Sequence, residues 1–204
     1  MSTLHFHVLG DSLAAGVGCA SADQTLGHRL TETLRRDGHP VELRVHAVSG
    51  ARSADLAPQV RAATAATVDL ALVVIGANDL TSLTPPQVGA GLLGSAVAAL
   101  TGVGAEVVVA TAPDLSIVSA IPGPYRELVR HASALYAGAQ AEAVDRAGGS
   151  VAAVGAELFT AFRADPGLFS ADRFHPSPRG YALIADALAP HVLDAARKRN
   201  VRGY

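Results

Sequence analysis

Along this chain, short apolar runs alternate with longer segments whose hydrophobic residues recur every three or four positions. Leu4 to Leu9 reads as a first strand and Val41 to Val48 as a second, with Val41, Leu43, Val45 and Ala47 alternating onto one face. Asp69 to Ile75 and Glu106 to Ala110 are almost unbroken aliphatic runs, the pattern of strands covered on both faces. A fifth, short strand is predicted around Ser150 to Val154. Between them, Leu26, Leu30 and Leu34 repeat at four-residue spacing before Gly38, a C-terminal stop, and the Ala-rich segments Val88 to Leu100 and Tyr125 to Ala147 have helical propensity. Tyr181, Ile184, Leu188 and Val192 share one face of a further helix that starts near Pro178. Strands and helices taking turns predict an α/β domain with right-handed crossovers. The expected architecture is a three-layer α/β/α sandwich around a flavodoxin-like five-stranded parallel sheet, order 2-1-3-4-5.

Composition narrows the picture. The 204 residues, 50% hydrophobic, suffice for one domain, and no repeat or linker divides residues 1–204. No apolar run approaches the ~20 residues that span a bilayer. Met1 to Gly10 lacks a basic stretch followed by a greasy one, so the chain as given reads as cytoplasmic, without signal peptide or stable membrane anchor, although a trimmed secreted form would look the same. The net charge of −2 leaves no basic footprint for nucleic acid, and the Arg197-Lys198-Arg199 cluster suits the end of a helix. Cys19, the only cysteine, excludes an internal disulfide and reads as a small buried hydrophobe. His5, His7 and His46 could lie on neighbouring strands, but the eight histidines show no recognised metal-site spacing and no metal is expected. No cofactor is implied either: there is no Gly-x-x-x-x-Gly-Lys-Ser/Thr, and Gly16-Val17-Gly18 lacks the third glycine of a dinucleotide fingerprint.

In open parallel sheets, the loops that converge on a ligand leave the C-terminal ends of the strands. Four polar signatures fall there: Gly10-Asp11-Ser12 after strand one, Ser49-Gly50 after strand two, Gly76-Ala77-Asn78-Asp79 after strand three, and Asp172-Arg173-Phe174-His175 before the last helix. Each alone is ordinary turn chemistry. Together, in this order, Gly10-Asp11-Ser12-Leu13, Gly50, Gly76-x-Asn78-Asp79 and Asp172-x-x-His175 resemble the four blocks of the SGNH, or GDSL, hydrolases, and the resemblance spans almost the whole chain.

That resemblance implies a serine esterase with Ser12 as nucleophile, His175 as general base and Asp172 as the group that orients the imidazole. It also implies an oxyanion hole made by the backbone N–H groups of Ser12 and Gly50 and the side-chain amide of Asn78. The chemistry agrees. A serine hydroxyl is a poor nucleophile at neutral pH, and it needs a base within hydrogen-bond reach whose tautomer is fixed by an acceptor. Asp172 and His175 are three apart, a spacing that in a helical turn brings side chains to one face. Gly50, without a side chain, would let a carbonyl oxygen come close to its N–H. An amide dipole such as that of Asn78 is worth ~3 kcal/mol where charge develops in comparable sites. Asp11 and Asp79 read as loop-holding groups.

After strand four, Thr111-Ala112-Pro113-Asp114 leads through Leu115, Ile117, Val118 and Ile121 to Pro122-Gly123-Pro124. This loop leaves the same sheet edge, which makes Ile117 and Ile121 candidate substrate-binding residues, although the same aliphatics could simply seal the core. With no long insertion to act as a lid, the expected partner is a small-molecule acyl ester, short and soluble, cleaved through an acyl-enzyme intermediate on Ser12. A sugar-ester deacetylase or a thioesterase would use the same groups, and a non-catalytic binding module on this scaffold is the reading from another class. The α/β-hydrolase elbow Gly-x-Ser-x-Gly is absent.

Overall fold

Five strands form one parallel sheet: β1 (Leu4–Gly10), β2 (Val41–Val45), β3 (Leu70–Val74), β4 (Glu106–Ala110) and β5 (Ser150–Val151), in the order β2-β1-β3-β4-β5. The computed structural model describes residues 2–118, 121–152, 154 and 156–202. Its α-helices are α1 (Ser12–Ala15), α2 (Leu26–Arg36), α3 (Leu56–Thr64), α4 (Ala77–Thr81), α5 (Pro86–Gly102), α6 (Arg126–Arg146), α7 (Ala156–Ala164) and α8 (Pro178–Arg202).

Side chains alternate across a strand, so each strand feeds two cores. Phe6, Val8, Leu70 and Leu72 pack with Leu26, Leu30 and Leu34 of α2 and with Tyr181, Leu188 and Val192 of α8. Leu9, Ala71 and Val73 pack on the other side with Leu56 and Val60 of α3, Leu93 and Val97 of α5 and Val144 of α6. All five residues of β3 are buried, as a strand covered on both faces requires. The three layers and the strand order agree with the reading of the sequence.

The departures have local causes. β2 ends at Val45 rather than Val48 because it is an edge strand with only its first residue buried; beyond it, His46 and Val48 still donate N–H bonds to Val8 O (2.8 Å) and Gly10 O (3.0 Å). β5 shrinks to two residues, with Ala152 donating to Val109 O; Ala153, inside the expected strand, lies outside the described residues. The sequence reading passed over α3 and α7, although a parallel crossover from β2 to β3 needs an element such as α3. Among the described residues, no helix is long and apolar enough to cross a membrane.

At the N-terminal end of the sheet, Arg199 donates from Nε and Nη2 to Asp69 Oδ1, while Asp69 Oδ2 accepts the N–H of His5. His7 is fully buried, and its Nδ1 lies 3.0 Å from Nε2 of His46, whose ring stacks on it at 5.1 Å. Burial, followed by the nearby His46 and Arg44, lowers the His7 pKa to about 4.

The unfolded chain therefore takes up a proton near 6.5 that folded His7 refuses until about 4. Wild-type stability should decline relative to a His7→Gln variant as pH falls through that window, and level off below it. Urea unfolding at a series of pH values checks this; a constant difference between the two proteins would contradict a neutral buried imidazole.

Candidate active site

Gly10 closes β1 opposite Val74 of β3, and its φ of 134° is open to glycine but rarely to other residues. A Cβ at this position would sit 1.9 Å from Val74 O, so only glycine lets the two strand ends pack this closely. The chain then turns directly into α1, with Asp11 as N-cap: its Oδ1 accepts the N–H of Leu13 at 3.0 Å. Ser12 is the first residue of that helix and is 7% exposed. The N–H groups of a first turn have no intrahelical acceptor, which leaves that of Ser12 available to an oxygen outside the helix. Burial pushes the Asp11 carboxyl up to about 6, against the pull of the Leu13 N–H and of His175.

His175 reaches Ser12 across 163 positions of sequence: its Nε2 is 2.9 Å from Ser12 Oγ, and its Nδ1 is 2.6 Å from Asp172 Oδ2. The structure thus brings Ser12, His175 and Asp172 into one hydrogen-bonded line. The local geometry differs from a helical turn. Residues 171–175 form turns and bends, and Arg173 adopts a φ of 57°, left-handed backbone that a right-handed helix cannot contain. Asp172 itself holds the turn: Oδ1 accepts the N–H groups of Phe174 and His175, both at 2.9 Å, and the hydroxyl of Ser170 at 2.7 Å. These donors, the His175 ring foremost, hold the Asp172 carboxyl well below the usual carboxylate range although its side chain is 47% exposed. Phe174 meets the imidazole edge-on at 5.1 Å. Ser170 escaped the sequence reading; a serine two positions before an aspartate in a turn is the signal that could have found it.

Asn78 lies in α4, directly after β3, and its Nδ2 donates to Ala51 O at 3.0 Å, the carbonyl next to Gly50. An amide nitrogen carries two hydrogens, so one remains for an oxygen in the crevice. Asp79, buried, accepts both the N–H (2.9 Å) and the hydroxyl (3.0 Å) of Ser53 through Oδ2. The loops after β2 and β3 are therefore stitched together, and Gly50 is exposed at their rim with φ 82°.

Beside this line lies an apolar cavity of about 100 Å³. Asp11 and Leu13, the neighbours of Ser12, contribute to its wall, as do Phe174 and Pro176, the neighbours of His175. Ile117 lines it; Ile121 does not, but packs against Ala77, Leu115 and Val118, which line it themselves. Ser119 and Ala120, between them, lie outside the described residues. The chain has five phenylalanines, and four of them, Phe159, Phe162, Phe169 and Phe174, border this one cavity, a clustering that the sequence displays but that was passed over. Among the described residues, no group of three or more His, Cys, Asp or Glu side chains is placed to hold a metal ion.

Several known proteins are similar to this chain in sequence or fold. A GDSL-like esterase of Mycobacterium tuberculosis is 40% identical over 200 residues, which is 96% of this chain; the chain spans 64% of that relative's length. A candidate SGNH hydrolase from Slackia heliotrinireducens superimposes with a TM-score of 0.67 at 27% identity, covering 93% of this chain and 98% of the other. The fold is also shared with a psychrotrophic esterase of Pseudoalteromonas, solved with monoethylphosphonate as inhibitor: TM-score 0.71, 17% identity, 95% of this chain and 97% of the other. The model of the GDSL-like lipase/acylhydrolase family matches residues 8–183, and the chain belongs to that family.

Proposed function

We propose that this protein hydrolyses carboxylic esters through an acyl-enzyme intermediate on Ser12. The observation that carries this reading is the line from Asp172 Oδ2 through both ring nitrogens of His175 to Ser12 Oγ. Ser12 Oγ attacks the ester carbonyl carbon while its proton passes to His175 Nε2. Asp172, ionised over the working range, accepts from Nδ1–H and stabilises the imidazolium that forms. The negative charge that develops on the carbonyl oxygen is met by the N–H groups of Ser12 and Gly50 and the free hydrogen of Asn78 Nδ2. The tetrahedral adduct collapses, the C–O bond to the alcohol breaks and His175 returns its proton to the leaving oxygen. A water molecule, activated by the same imidazole, then cleaves the acyl-enzyme and restores Ser12.

The cavity beside the serine is the acyl side of the site in this reading. Its walls are aliphatic and aromatic, and its small volume favours short chains. Ile117 belongs to the wall, whereas Ile121 acts at one remove by packing against Ala77, Leu115 and Val118, which form part of that wall. Deacetylation of sugar esters and thioester cleavage draw on the same groups, and a panel of acyl substrates with different leaving groups separates them.

Ser12→Ala should reduce ester hydrolysis to near background with the fold intact, and His175→Ala should be almost as damaging. Asp172→Ala should leave measurable turnover, because an unoriented imidazole still abstracts a proton part of the time. Steady-state kinetics on p-nitrophenyl acetate, together with labelling of Ser12 by a phosphonate ester, test the set. Retention by Ser12→Ala of more than about a hundredth of the activity would remove the nucleophile assignment.

Ile117→Ala should shift the optimum toward longer acyl chains, each added methylene gaining up to ~0.8 kcal/mol. Ile121→Ala should lower thermal stability and change chain preference less. Hydrolysis rates on p-nitrophenyl esters from acetate to palmitate give both answers. A palmitate optimum with a jump in rate above the micellar concentration would refute the short-chain, lidless site.

A further inference from the structure

Two buried glutamines occupy equivalent places beneath the working edge. Gln59 of α3, 4% exposed, accepts the N–H of Gly10 at 2.7 Å through Oε1 and donates from Nε2 to Gly10 O at 3.0 Å. Gln140 of α6, with no exposure, accepts the N–H of Ala112 at 2.7 Å and donates from Nε2 to Ile75 O at 3.2 Å. Gly10 stands two residues before Ser12, and Ile75 immediately precedes Gly76, two residues before Asn78. Gly10 and Gly76 have nearly the same backbone, φ 134° and 130°, at the points where β1 and β3 leave the sheet. The fit under Gly76 is close: a Cβ there would meet Gln140 Nε2 at 3.0 Å and Ala112 Cβ at 2.7 Å.

Each amide thus adds hydrogen bonds at the end of a strand, at Gly10 beside the one that Gly10 O accepts from the N–H of Val48, and each does so from a helix of the same layer, among apolar neighbours such as Val60 and Val144. A backbone N–H or C=O at such a point needs some partner. A side-chain amide supplies donor and acceptor in one rigid plane, which fixes direction as well as distance. We propose that Gln59 and Gln140 are positioning residues, holding the ends of β1 and β3 so that Ser12 and Asn78 keep a fixed separation and orientation about the carbonyl under attack. This inference rests on the ester-hydrolysis reading above.

A displacement of ~1 Å at a reacting group costs roughly a hundredfold in rate. Gln59→Leu and Gln140→Leu, close in size but unable to form the bonds, should each lower kcat by roughly ten- to a hundredfold with KM within about a factor of two, because ground-state binding is untouched. Gln59→Glu supplies a pH-dependent readout, which separates positioning from stability at every pH where its melt shows the variant still folded. A neutral carboxyl reproduces both bonds to Gly10, and an ionised one loses the donor and faces Gly10 O with a negative charge. Burial raises a carboxyl pKa, so this variant should be active at low pH and acquire a falling limb at higher pH that the wild type lacks.

The experiment measures kcat and KM on p-nitrophenyl acetate across pH for the three variants and Ser12→Ala, with thermal melts on the same samples. Leucine variants that melt as the wild type and retain kcat within a factor of two would overturn the proposal. So would a Gln59→Glu profile that superimposes on the wild type; this arm decides the matter if Gln59→Leu does not fold. Unaffected glutamine variants beside an inert Ser12→Ala defeat the positioning role alone, whereas an active Ser12→Ala defeats the reading on which it rests.

Discussion

The pairing of Gly10 with Val74 governs the level at which the two central strands stop, and the working edge is built outward from that level. A side chain at position 10 would force the strands apart, since its first carbon would collide with Val74 O. With glycine there, the N–H of Asp11 still reaches Val74 O at 3.1 Å, and the next residue already begins α1. Ser12 is therefore held by the last rung of a sheet and the first turn of a helix at once. The corresponding turn after β3 starts α4 at Ala77, so Ser12 and Asn78 leave neighbouring strands on short, rigid helical starts rather than on long loops.

The other half of the site is built differently. Asp172 and His175 are joined by a tight turn that the Asp172 carboxylate organises by accepting from Ser170, Phe174 and His175. Such a turn needs little help from the rest of the molecule to take its shape. What it cannot do alone is meet Ser12, and that single long-range contact depends on docking the segment just before α8. Within the segment, Ser170 N–H donates to His175 O and Ser177 N–H to Leu168 O, and against the rest of the molecule the Tyr181 hydroxyl reaches Val17 O at 2.7 Å. Asp172 and His175 thus arrive as one preassembled piece, fitted against a Ser12 that is fixed by the sheet.

This division explains what could be read beforehand. Ser12, Asn78, Asp172 and His175 sit in short contiguous motifs because local backbone shape presents each of them, and local shape is written in neighbouring residues. Gln59 and Gln140 act on backbone 49 and 28 positions away, from the buried sides of helices, and no run of adjacent residues records that. The same limit applies to Ile117 and Ile121, which look alike in an apolar loop; only three-dimensional packing puts one on the cavity wall and the other against Ala77, Leu115 and Val118 of that wall. The helical-turn expectation for Asp172 and His175 failed in detail because spacing does not reveal a left-handed residue such as Arg173. The α/β class, by contrast, followed from the alternation of buried runs and amphipathic segments, and the strand order is the flavodoxin-like one expected for that class.

Phe6 and Val8 of β1 are covered by Tyr181, Leu188 and Val192 of α8, so the first strand of the sheet obtains part of its cover from the last helix. During synthesis at ~5–20 residues per second, the 163 positions that separate Ser12 from His175 correspond to roughly ten to thirty seconds. For that interval the nascent chain carries the serine without the imidazole, and the greasy face of β1 without its lid of α8. A chain not yet extended through α8 consequently leaves that apolar face of β1 without part of its cover.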